Sequence, residues 1–154
     1  MNYYLSIIFA AIILFNIPAS AQRNVTPAID RDPLMEADAK HNLDVAWQAF
    51  GPARKAYKQV LLRFEETFAA YPEFSKSDEF LYLAGMSSYY LSENKGKQKI
   101  DLKSEKEKVK FDPAKLREDA ALYLGMLVEK YPQSKYKADA ETTLAVLKGQ
   151  RPDR

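Results

Sequence analysis

The chain has 154 residues, a formal net charge of +2, one histidine, one tryptophan and no cysteine. Without cysteine there is no disulfide, no thiol nucleophile, no thiolate metal site and no residue to carry a lipid, and the near-neutral charge argues against nucleic acid as the main partner. After residue 21 no apolar run is long enough to cross a bilayer, and the length suits one domain with its own core.

Residues 1–21 contain no Asp, Glu, Lys or Arg. The run from Leu5 to Phe15 is apolar, and Ala19-Ser20-Ala21 follows as a small-residue cleavage site. That layout predicts a secretory signal cleaved before Gln22, hence an exported protein; the apolar core is too short for an anchor of about 20 residues. Residues 22–31 read as a flexible lead-in.

Asp32-Pro33 predicts a helix start, the carboxylate accepting from free N–H groups and proline fitting the first helical position. Leu34, Ala37, His41, Val45 and Ala49, with Leu43, Ala46, Trp47 and Phe50, form its apolar stripe, and Gly51-Pro52 breaks it. A second helix is expected from Ala53 to Ala70, where Tyr71-Pro72 stops it. Ser77 is the expected cap of a third helix from Asp78 to Ser92. Residues 94–111 hold seven lysines and read as a charged, mobile insertion. Asp112-Pro113 starts a fourth helix that Tyr131-Pro132 ends, and Ser134 is the expected cap of a fifth, reaching Lys148. Residues 149–154 form a tail. Five helices and no strand define an all-α domain over residues 32–148.

Tyr71-Pro72 and Tyr131-Pro132 lie sixty residues apart. At the same offset Leu62 matches Leu122, Phe64 matches Leu124 and Phe68 matches Val128, and Leu83-Ala84 corresponds to Leu144-Ala145 with one residue of slippage. Repetition of a helix, a Tyr-Pro turn and a second helix predicts stacked helical hairpins, each covering its neighbour's apolar face.

The second copy, from Tyr131-Pro132 through Ser134, Tyr136 and Ala140 to Leu144-Ala145, resembles a tetratricopeptide-type repeat. More narrowly it is similar to the repeats of the BamD-type outer-membrane assembly lipoproteins and the CpoB-type Tol–Pal partners. The first copy matches more loosely, with Phe74 where the pattern has serine. The resemblance implies a short right-handed solenoid of antiparallel helix hairpins. It also implies a periplasmic or outer-membrane-associated adaptor whose partner is a protein or peptide of the envelope, in the setting of outer-membrane assembly. A structural subunit of a homo-oligomer or larger envelope complex is the alternative.

No grouping of residues points to catalysis, a metal or a cofactor. His41 has no nucleophile or orienting acid beside it in sequence, and Glu65-Glu66 and Asp78-Glu79 are adjacent pairs that diverge by about 100° on a helix. The aromatic residues are more informative. Tyr89 and Tyr90 cannot share one buried stripe, so one of them is expected to face a groove. In repeats of this type the first helix of each hairpin lines the concave face, which nominates Asn42, Trp47, Tyr82 and Tyr89 as partner contacts.

Overall fold

The computed structural model describes residues 31–101 and 103–149. The expected signal segment, the residues up to 30 and the tail from residue 150 lie outside them. Among the described residues there are six helices and no strand: α1 Pro33–Phe50, α2 Tyr57–Ala70, α3 Ser77–Ser92, α4 Glu105–Lys110, α5 Pro113–Lys130 and α6 Lys137–Leu147. None is long and apolar enough to cross a membrane.

Both Asp-Pro starts form as the local chemistry dictates. The Asp32 carboxylate accepts from the Leu34 amide at 2.8 Å, and that of Asp112 from Ala114 and Lys115 at 2.9 and 3.1 Å. Each proline occupies the first turn, where its missing N–H leaves no bond unmade.

The two Tyr-Pro turns share one conformation. Tyr71 has φ −131° and ψ 68°, Tyr131 has φ −126° and ψ 63°. Each tyrosine amide donates back into its helix, Tyr71 to Thr67 and Tyr131 to Leu127. Each carbonyl accepts from the residue three further on, Phe74 or Ser134. The flanking helices end at Ala70 and Lys130 and restart at Ser77 and Lys137, keeping the sixty-residue offset at both points. The repeat is therefore structural as well as sequential.

Consecutive helices pack on one another, α1 on α2, α2 on α3, α3 on α5 and α5 on α6, while α1 also touches α3. The most extensive contact is α3 against α5. It depends on Gly85, where a Cβ would lie 2.5 Å from Leu124 Cγ and 3.4 Å from the Leu124 backbone nitrogen. The absent side chain lets the two helices approach over a fully buried leucine. Leu43, Val60, Leu81, Leu83, Leu116, Leu124 and Leu127 fill one core that runs through all these interfaces.

Four expectations are revised. Helix α2 starts at Tyr57 and not near Ala53, because Lys55 sits at φ 46°, a left-handed conformation that interrupts the helix. Ser77 is the first residue of α3 and donates to the Phe74 carbonyl at 2.8 Å instead of capping. Ser134 lies before the Tyr136 N-cap, accepting from the Tyr136 amide and donating to Asp78 Oδ2 at 2.6 Å. In α1 burial begins at Ala39 and follows Leu43, Ala46 and Ala49, leaving Leu34, Ala37 and His41 exposed.

The lysine-rich insertion contains the short helix α4. Ser104 caps α4, and Lys58 on α2 donates to Glu107 Oε2 at 2.7 Å and to the Lys99 carbonyl at 3.0 Å. Glu107 also accepts from the Asp101 amide, and Lys110 pairs with Glu65 at 2.6 Å. Gly96 and Phe111 are buried beneath the segment. These contacts hold the insertion along α2.

Candidate protein-binding surface

Helix α1 contributes Trp47 and Phe50, three residues and so nearly one turn apart, whose rings meet edge to face at 6.0 Å. Helix α3 contributes Tyr82 and Tyr89, seven residues apart and therefore on one face, together with Tyr90. Tyr136 stands at the entrance to α6. The fold joins these side chains into one strip. Tyr82 and Tyr136 stack at 4.5 Å with 16° between their planes, and Trp47 lies 6.4 Å from Tyr82 and 5.9 Å from Tyr136. Phe50 continues the strip to Tyr57 at 5.5 Å and Tyr90 at 6.0 Å, and Tyr89 ends it 5.7 Å from Tyr90. Apart from the buried Tyr57, the rings are partly buried against the core and partly open to solvent.

Polar groups fix the rings. Trp47 Nε1 donates to Glu79 Oε2 at 2.9 Å, which sets the indole's tilt from the first turn of α3. Burial pushes the Tyr82 hydroxyl up to about 12, and the negative charge of Asp139 with the neighbouring Tyr90 and Tyr136 adds to it. Tyr57 and Tyr90 are also raised, chiefly by burial, and Tyr136 is raised for the same reason although Lys135 opposes it. All these phenols are neutral hydrogen-bonding groups at physiological pH.

Of the four residues nominated from sequence, the structure brings Trp47, Tyr82 and Tyr89 into this strip. Asn42 is half-buried on α1 but points about 140° around the helix from Trp47. Tyr90 turns inward to Phe50 and Tyr57, and Tyr89 takes the outer position, with Lys95 Nζ 5.4 Å from its ring centroid. Sequence reasoning missed Phe50, Tyr57 and Tyr136 as members of the strip. Phe50 was signalled by its three-residue spacing from Trp47; Tyr136 carries no local signal, since its position depends on how α6 meets α3.

Near the far end, Phe50, Tyr57 and Tyr90 line a depression of about 500 Å³ with Lys55 and Lys95 at its edge. Phe64, Phe68, Phe80 and Tyr123 form a separate aromatic cluster, most of it committed to the core.

A twice-repeated helix–Tyr-Pro–helix unit, its helices stacked one on the next with an aromatic strip along α1, α3 and the start of α6, is the architecture of a tetratricopeptide-type repeat protein. Residues 19–150 match the model of the YfiO family of outer membrane lipoproteins, and the chain belongs to that family. Neither a curated protein nor a solved structure matches it.

Proposed function

We propose that the chain is an exported, non-enzymatic adaptor of the cell envelope that binds a protein segment along the Trp47–Tyr89 strip. The observation that carries this is the continuous row of partly exposed rings spanning α1, α3 and the start of α6. Large aromatic side chains lose little conformational entropy when covered and dominate binding energy in protein interfaces. Membership of an outer membrane lipoprotein family supports the envelope as the place of work and outer-membrane protein assembly as its setting. A signal ending at Ala21 would deliver the chain there.

The experiment is fractionation of cells expressing the tagged full chain, followed by crosslinking and mass spectrometry of what is captured. Mature chain beginning at Gln22, joined to envelope proteins and released by Trp47→Ala with Tyr82→Ala, is the expected result. Recovery from the cytoplasm alone would contradict it.

A second reading, a structural subunit of a larger assembly, draws support from Leu62 and Leu122. These two leucines occupy the same position in the two repeats and are 46% and 56% exposed. Association between copies would cover them, and a size that grows with concentration would favour it.

A further inference from the structure

The two ends of the aromatic strip carry opposite charge. Around Trp47, Tyr82 and Tyr136 stand Asp78, Glu79 and Asp139, the last of which also acts on Tyr90. Around Phe50, Tyr57 and Tyr90 stand Lys55 and Lys95, with Lys97 committed to the Ala53 carbonyl at 2.8 Å. Among the described residues Asp139, Lys55 and Lys95 have no ion-pair partner.

Each end is built to take an opposite charge. At the acidic end Glu79 Oε1 already has two ammonium groups near it, Lys76 at 3.9 Å and Lys135 at 3.8 Å, and Lys135, 71% exposed, also lies 4.8 Å from the Tyr136 ring centroid. A cation therefore fits there, held loosely at distances that a better-shaped group would shorten. A planar guanidinium stacks on an aromatic face and offers paired donors to a carboxylate, which an ammonium cannot do. At the basic end, Lys95 rides over Tyr89 and Tyr90 at 5.4 and 5.9 Å with no carboxylate to meet it.

We propose that the strip selects its partner segment by charge order, an arginine-type side chain lying over Tyr82 and Tyr136 against Glu79 and Asp139 while an acidic side chain meets Lys55 and Lys95. The inference rests on the strip being the binding surface. Ring-to-ring steps of 6.4, 6.0 and 6.0 Å lead from Tyr82 through Trp47 and Phe50 to Tyr90. An extended chain rising about 3.3 Å per residue covers that path in at most about six residues, which bounds the spacing of the two charges.

The test uses synthetic peptides that share one set of apolar residues and differ at two positions no more than about six residues apart. One pair carries Arg and Glu in either order, and a control carries Gln at both. Binding to the full chain is followed by calorimetry, and Trp47, the single tryptophan, reports by fluorescence whether the strip is covered. The expected result is binding of one Arg/Glu peptide about tenfold tighter than the Gln control, an advantage lost in high salt. It is also lost in the double variant Glu79→Gln with Asp139→Asn. There the glutamine side chain still offers the indole an acceptor, and circular dichroism checks the fold. Equal binding of charged and neutral peptides through Trp47 would overturn charge selection and leave the strip as a binding surface. Binding of no peptide at about 1 mM, or binding without a change at Trp47, would overturn both.

Discussion

The rings of Tyr82 and Tyr136 stack at 4.5 Å, so a residue inside α3 and a residue at the mouth of α6 form one surface. That contact ties the second hairpin's first helix to the element that follows it. Both rings are partly buried against the core, so the contact is structural while part of it stays open to solvent.

The hydroxyl of Tyr82 gives this contact a pH signature. Its value in the folded chain is pushed up to about 12 from 10.0, first by burial and then by Asp139. An acid whose folded value is raised favours the neutral form in the folded state. The stability it contributes is present below pH 10 and is lost as pH rises through about 12. Ultraviolet titration should show one phenol fewer ionising near the top of the range in Tyr82→Phe, and the variant should lose less stability than the parent above pH 10.

Gly85 is predicted to be intolerant of even one methyl. A Cβ there meets Leu124 Cγ at 2.5 Å, with Leu124 itself fully buried. Gly85→Ala should cost about 1–3 kcal/mol in urea denaturation, since the core must shift to admit it. Combined with Leu124→Ala, the loss should be less than the sum of the two single losses, because removing Cγ and Cδ2 relieves the clash that the first change creates.

Much of this architecture is legible from local chemistry. Asp32-Pro33 and Asp112-Pro113 announce helix starts because capping involves only neighbouring residues. The paired Tyr-Pro turns reveal the repeat because the same residues stop each helix in the same way. Trp47, Tyr82 and Tyr89 are found because hairpin stacking puts first helices on one face. Other features depend on distant contacts. Helix α4 is held by Lys58, 49 residues from Glu107 in sequence, and composition alone reads that stretch as solvated. The exposure of Leu34 depends on where neighbouring helices stop covering α1, and the left-handed Lys55 has no glycine to mark it.

The insertion should respond to acid. Hydrogen bonds from Lys58 and from the Asp101 amide hold the Glu107 carboxyl below its usual 4.5. A depressed carboxylate contributes stability above its unfolded value of 4.5 and loses it as pH falls through the lower folded value. Amide exchange in residues 97–110, corrected for intrinsic rates, should therefore rise relative to α3 as pH drops below 4.5. Glu107→Gln should raise it already at neutral pH. High salt should act in the same direction, because the Lys58–Glu107 pair is partly exposed and is screened.

The central claim is that the strip is the face by which this repeat protein meets its partner. A photo-activated crosslinking residue placed at Tyr89 in one strain and at Leu122, 56% exposed in α5, in another tests it most directly in living cells. Adducts to an envelope protein from Tyr89, absent from Leu122, are predicted. Adducts from Leu122 alone, or from both positions only to further copies of the chain, would contradict it and leave the repeats as the scaffold of an assembly.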